Sequence, residues 1–265
     1  MTAKIIINAD DYGWDNDANQ AIFTLAEAGH ITSTSIMANM VDNNWLKKIN
    51  HLTHISKGIH INLFSGIPLS PAHQVKSITD AKGNFLDHKF FLRKLITNQI
   101  DFKEIKLEIR NQIQHLLTAG LNLSHADSHR HLHQFPLVSQ SIIETAKEMG
   151  IHRFRNCNVN NVTNLKMLTV RLFCILTRNN FKNCITPSVL YNLSAHKDTY
   201  SANSLLKEIK KLSNKPVIEI MTHPGIANRQ GSYLNRTGEY TFLLKNNLPD
   251  LLSNAGYKLV NYSDL

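Results

Sequence analysis
The side chains able to do chemistry fall in a few short stretches. Residues 125–133 read His125-Ala126-Asp127-Ser128-His129-Arg130-His131-Leu132-His133, four histidines alternating with other residues. Alternation puts like residues on one face only where the chain is extended. Neutral imidazole is a good ligand for zinc and related divalent ions. Four imidazoles exceed what one ion takes, so some must orient ligands or meet substrate instead; a hydrogen-bonded His-rich loop is the alternative. Asp10 and Asp11 are adjacent carboxylates, costly if both are buried and ionised. A cation relieves that cost, and a turn, for which Asp10-Asp11-Tyr12-Gly13 is also suited, avoids it. His60, in Gly58-Ile59-His60-Ile61-Asn62-Leu63, reads by itself as a satisfied strand residue. His223 precedes Pro224-Gly225, a turn that would expose its ring at a strand end. A near-neutral imidazole there suits protonation of a leaving amine.

Something must bring these residues together, and the pattern around them says what. Residues 4–8, 31–38, 58–63, 121–126, 216–222 and 257–261 read as strands, with 153–155 as a short one. Helical patterns alternate with them at 17–28, 101–118, 136–149, 201–212 and 237–253, the last interrupted at Pro249. Asp101 caps the second of these, and Glu104 predicts a capping box. Residues 65–87, rich in Gly, Pro, Ser and Asn, read as an excursion loop. Alternating β and α elements predict a mainly parallel α/β sheet; length does not separate an open sheet from a barrel. Asp10 and Asp11, His60, Asp127 and His129, Arg155, and His223 all fall at or near strand carboxyl ends, which converge on one face in either architecture.

At 265 residues with 42% apolar content, the chain can bury one large core. Its three cysteines, Cys157, Cys174 and Cys184, form no CxxC pair, which argues against a disulfide framework or a cysteine zinc site. No secretory signal is expected, and a cytoplasmic location fits best. No run approaches the roughly 20 apolar residues of a membrane span. P-loop, GxGxxG, GxSxG and HExxH motifs are absent. Aromatic residues do not interleave with the basic ones, so no nucleic-acid partner is expected. The net charge of +9 is uneven: residues 149–197 hold Arg153, Arg155, Lys166, Arg171, Arg178, Lys182 and Lys197 and no acid. Such a field favours an anionic partner, or is an ordinary solvated surface.

Four segments taken in order resemble the YdjC-like carbohydrate deacetylases, which include chitooligosaccharide deacetylases. They are Asn8-Ala9-Asp10-Asp11-Tyr12-Gly13, Gly58 to Leu63, His125 to His133, and Glu219-Ile220-Met221-Thr222-His223-Pro224-Gly225. The likeness runs from the first strand to the last and is weakest at about 159–196. It implies one domain over 1–265, a (β/α) barrel-like fold related to polysaccharide deacetylases, and one divalent metal ion, zinc or magnesium. By motif match the ligands are Asp11, His60 and His129, with Asp10 as general base and His223 as general acid. Asp127, Arg130, His131, His133 and Arg155 would support the ligands or meet substrate. Arg130 stands at a variable position of the family pattern, and Tyr12 where many members have Phe. The implied reaction hydrolyses the acetamido group of an N-acetylated amino sugar to acetate and free amine.

Two substrates suit that resemblance: a soluble chitooligosaccharide such as diacetylchitobiose, or a polyprenyl-phosphate-linked N-acetylhexosamine of envelope glycolipid or lipid A modification. Residues 162–177 are mostly apolar, and Lys166, Arg171, Arg178 and Lys182 punctuate and follow them. A helix of that kind can lie on an anionic membrane at the inner face of the cytoplasmic membrane, or guide a polyprenyl phosphate to the site. It reads equally as a helix packed on the barrel or at a homodimer interface. The reading leans to the lipid-linked sugar. A metal-dependent phosphoesterase and a non-catalytic sugar-binding relative are the readings of another class.

Overall fold
A computed structural model describes residues 2–159, 165–196 and 200–265. Its sheet has seven parallel strands: β1 (Lys4–Tyr12), β2 (Ser33–Ile36), β3 (Ser56–Ile61), β4 (Leu123–Ser128), β5 (Val189–Asn192), β6 (Val217–Thr222) and β7 (Lys258–Leu259). The spatial order is β4-β3-β2-β1-β6-β5, with β7 paired to the start of β1. The two edge strands do not pair with each other. Residues 153–159 lie between them, bridging Phe154 to Ala126 on one side and Val159 to Leu190 on the other. The result is barrel-like, closed by isolated bridges where 153–155 was expected to form a strand.

Side chains alternate across such a sheet. In β1, Ile5, Ile7 and Ala9 join the large core shared with the helices, whereas Ile6 packs inward with Val260 and Tyr262. The inward set continues as Asn8 and Asp10, joined to Ser35 of β2, His60 of β3, and His125 and Asp127 of β4 by direct hydrogen bonds among them. Glu219 of β6 reaches the same interior through Arg155 and Tyr262. The interior is therefore polar toward the carboxyl ends and plugged by Tyr262 below, while the apolar alternate positions lie under helices.

Nine α-helices follow among the described residues: α1 (Asn16–Glu27), α2 (Asn43–His51), α3 (His88–Ile96), α4 (Phe102–Thr118), α5 (Pro136–Glu148), α6 (Leu165–Thr177), α7 (Ala202–Lys210), α8 (Arg236–Asn246) and α9 (Leu248–Asn254). Aspartates 15, 42, 87 and 101 cap the first four, each carboxylate accepting backbone N–H groups that the helix leaves unpaired. The capping box expected at Asp101 does not close: Glu104 instead accepts from the Ser77 backbone N–H at 2.6 Å, tying the 65–87 excursion to α4. The break in the last helical region falls at Asn247, which adopts φ 38°, so that Pro249 lies in the first turn of α9. Of the apolar stretch at 162–177, residues 162–164 lie outside the described residues, and the rest is α6.

Candidate functional site
The site begins at an irregularity in β1. A register shift between Ala9 and Tyr12, with Asp11 at φ 70°, breaks the alternation and lets two consecutive carboxylates serve one cavity. A left-handed non-glycine residue is costly and clusters at functional sites. The same holds after β4, where Arg130 and His131 both have φ 58°. The histidine run is thus not one extended face. His125 and Asp127 lie in β4, the chain turns sharply after His129, and His131 and His133 lie in a 3-10 segment (His129–Gln134).

Asp11 Oδ1 is 3.4 Å from His60 Nε2 and 3.2 Å from His129 Nδ1. Ligands held about 2.0–2.2 Å from one ion lie roughly 3.0–3.5 Å apart, so this spacing suits a shared divalent cation. His60 Nδ1 meets Asp127 Oδ1 at 2.8 Å, which fixes the ring and turns Nε2 toward Asp11. Asp10, His60 and Asp127 also lie close enough to hold an ion. There, however, the cation is already present as Arg155. Its guanidinium contacts both oxygens of Asp10 at 2.6 Å, Asp127 at 2.6 Å and Glu219 at 2.7 Å. A guanidinium fork matches such bidentate carboxylate geometry. The free position is therefore the one at Asp11, His60 and His129. Around it four buried carboxylates, Asp10, Asp11, Asp127 and Glu219, face two buried guanidinium groups, Arg155 and Arg236. That negative surplus fits a further cation.

Burial alone would raise the pKa of Asp11, but Arg236, His129 and His60 outweigh it and hold the carboxyl well below its usual range. Burial would likewise lower His60, yet Asp127, Asp11 and Asp10 raise it to about 10. For His223 burial dominates, pushing it down to about 4.

The sequence-predicted residues separate into two layers. Asp10, Asp11, His60, His129, His223, Arg130 and His131 line a cavity of about 440 Å³. Asp127, Arg155 and His133 lie behind it: Asp127 beneath His60, Arg155 beneath Asp10, and His133 against Ser128 and Cys157. His125 stacks flat on Tyr262 inside the barrel, with centroids 3.7 Å apart. Four further groups complete the site. Arg236 donates to Asp11. Trp14 packs against His129 with centroids 4.8 Å apart. Ser194 contacts His223, and Glu239 accepts from the His223 backbone N–H. Arg236 and Glu239 are three apart on α8, a spacing that puts both on one face; that is the one signal by which the sequence could have offered them.

Fold and site together define a parallel-sheet α/β protein with a buried carboxylate–imidazole centre able to hold a divalent cation. The chain belongs to the YdjC-like protein family, whose model matches residues 4–254. It is 27% identical over 276 residues to a carbohydrate deacetylase of Brevibacillus brevis, covering 99% of each chain. It is 26% identical over 277 residues to a chitooligosaccharide deacetylase of Proteus mirabilis, covering all of both. In fold it is similar to a protein of Enterococcus faecalis described as a cellobiose-phosphate cleavage protein, with TM-score 0.81, 21% identity, and coverage of 100% of this chain and 99% of that one.

Proposed function
We propose that this chain is a metal-dependent carbohydrate N-deacetylase, a hydrolase of the amide C–N bond that bears the acetyl group of an amino sugar. The observation that carries it is the placement of Asp11 between His60 and His129 with Asp10 and His223 on the same cavity. The full-length relatives named as deacetylases support it. Asp11, His60 and His129 would hold a divalent ion, which when bound would supply Lewis-acid polarisation of an amide carbonyl and a lowered pKa for water; two imidazoles and a carboxylate suit zinc, and magnesium is the alternative. The remaining work falls to the chain. Asp10, held in one orientation by Arg155 and by Asn8 Nδ2 at 2.8 Å, takes the proton of the attacking water. His223, 3.8 Å from Asp10, gives a proton to the departing amine. Arg236 keeps Asp11 ionised, and Asp127 orients His60.

The substrate that fits the surroundings of the site best is an N-acetylhexosamine carried on a polyprenyl phosphate. A second cavity of about 460 Å³ adjoins the first, sharing Arg130 and His131. Phe64, Leu92, Phe135, Val170 and Phe173 make it apolar. Because the two cavities share Arg130 and His131, an apolar tail on a sugar at the metal position would have this second cavity beside it, with the Arg130 guanidinium between them to meet a phosphate.

The test measures acetate release by metal-loaded protein from diacetylchitobiose and from a polyprenyl-phosphate-linked N-acetylhexosamine, with His129→Ala as control. Release from the lipid-linked sugar, lost in the control, is expected. Release from the disaccharide alone would transfer the assignment to chitooligosaccharides. Release from neither would sink the deacetylase reading.

A further inference from the structure
His223 presents a chemical difficulty if it protonates the leaving amine. Burial makes its imidazolium scarce at neutral pH, and a neutral imidazole that gives up its one N–H would become an anion. It can do so only if its other nitrogen receives a proton at the same time. What lies behind His223 supplies that partner. Its Nδ1 is 3.0 Å from Ser194 Oγ, and Ser194 Oγ is 2.6 Å from Glu239 Oε1. The other oxygen of Glu239 accepts from the His223 backbone N–H at 2.6 Å. Glu239 is fully buried and Ser194 nearly so.

From this geometry we infer that Glu239, Ser194 and His223 form a proton relay, in which a proton stored on Glu239 is passed through the Ser194 hydroxyl to recharge His223. The inference rests on the reading of His223 as proton donor to the amine. A serine hydroxyl has one proton to donate, so the chain has two states. With Glu239 protonated, its O–H donates to Ser194 Oγ, Ser194 donates to Nδ1, and the His223 proton is on Nε2, the nitrogen nearest Asp10. With Glu239 ionised, every bond reverses: Ser194 donates to Glu239, Nδ1–H donates to Ser194, and Nε2 is bare. The step between them balances. The Nε2–H bond breaks as the amine N–H forms, Nδ1–H forms as the Ser194 O–H breaks, and a new Ser194 O–H forms as the Glu239 O–H breaks. One proton leaves Glu239, one reaches the amine, and His223 is neutral before and after. Ser194 and Glu239 are positioning residues that act through His223.

Burial raises Glu239 to about 7, so both states are populated near neutral pH; Arg236 opposes that rise and Asp10 adds to it. His223 itself faces Asp10, Asp11, Arg236 and Arg155.

The experiment compares the wild type with Ser194→Ala and Glu239→Gln, both close in shape. First, ¹⁵N NMR of the His223 ring is followed across pH in each. The wild type is expected to shift from Nε2–H to Nδ1–H as pH rises through about 7. Glu239→Gln, whose amide always donates to Ser194, is expected to stay in the Nε2–H form, and Ser194→Ala to lose the pH-linked change. One tautomer common to all three would overturn the relay, whether or not any sugar is turned over. Second, kcat is measured on an N-acetyl sugar and on 4-nitrophenyl acetate, whose leaving group departs without a proton. Both variants are expected to lose on the order of 10²-fold in kcat on the amide with KM little changed, and far less on the ester. Equal losses on the two would mark a structural role and overturn the relay. Absence of amide turnover in the wild type would instead count against the deacetylase reading and leave the NMR result to decide the relay.

Discussion
Arg155 shows how a single residue sets the terms for the rest of the site. Its side chain is fully buried, and its three carboxylate partners, Asp10, Asp127 and Glu219, come from three different strands. Removing one member of a buried ion cluster leaves the others uncompensated, at a cost of about 3–5 kcal/mol. Arg155→Met is therefore expected to lose roughly that much stability in urea unfolding. Lysine cannot reproduce the fork, so Arg155→Lys should recover only part of it; full stability in either variant would refute this account. Buried histidines set the pH response. His125 and His133 are pushed down to about 3 and His223 to about 4 by burial. Each takes up its proton in the unfolded chain near pH 6.5 but in the folded one only much lower. Their contribution is complete above about pH 6.5 and is lost as pH falls, each at about 1.4 kcal/mol per pH unit. Glu239, raised to about 7, acts oppositely: its contribution is present below the ordinary glutamate range and lost as pH rises through 7. Glu219 is raised in the same direction. Burial lowers His129 as well, and His60, raised to about 10 chiefly by Asp127, keeps its full contribution below about pH 6.5; four lowered histidines outweigh two raised glutamates, so metal-free protein is expected to lose stability as pH drops from about 6.5 to 4.5 and faster below. A urea midpoint flat across that range would contradict it.

At the scale of elements, β3 and β4 depend on a missing side chain. Gly58 pairs with His125 in register, and a Cβ at Gly58 would lie 2.3 Å from the ring carbon Cε1. The ring has no room to retreat, being stacked on Tyr262 and held by Ser124 at 2.8 Å. Gly58→Ala is expected to cost about 1–3 kcal/mol as an overpacked core does, measured by urea unfolding; an unchanged midpoint would show that the ring can move. This dependence could not be read from the sequence, and the contrast with what could is instructive. β1 was legible as a short apolar run, β2 as a Thr-, Ser- and Ile-rich stretch and β3 by its alternation, and α4 and α5 because Asp101 and Pro136 mark their starts, whereas β5 was not read as a strand. The five cavity-lining residues expected to act on metal, water and amine were legible as polar groups at strand ends. Arg236, Ser194 and Glu239 were not, because each gains its meaning from a partner 225, 29 or 45 residues away. The short helices α2 and α3 offered too little periodicity to stand out. The barrel-like closure rests on isolated bridges from 153–159, which follow from the packing of distant strands rather than from any local pattern.

The molecule as a whole is lopsided, and α6 is where its asymmetries meet. No helix among the described residues is long and apolar enough to cross a membrane. Yet Leu165, Leu168, Leu172, Ile175 and Leu176 of α6 are between 50% and 78% exposed. Single exposed apolar residues are ordinary, but a contiguous row of them marks an interaction surface. Arg171, Arg178 and Lys182 are exposed beside the row, and no acid occurs anywhere from 149 to 197. The opposite face of α6, through Val170 and Phe173, lines the apolar cavity that adjoins the site. One helix thus offers a greasy, basic surface outward and lines an apolar cavity inward. A membrane carrying anionic lipid satisfies both at once, since burial of the row and attraction of the cations add. The protein is accordingly expected to sediment with vesicles containing anionic lipid and not with purely zwitterionic ones. Raising salt toward about 1 M, where the screening length falls to roughly 3 Å, should release much of it. Leu168→Asp with Leu172→Asp should abolish sedimentation with little loss of stability, because both side chains are already half in water. Should the protein ignore every vesicle and instead run as a dimer that the same double substitution splits, the row is covered by a second copy of the chain, and the cavity behind α6 must receive its ligand from solution.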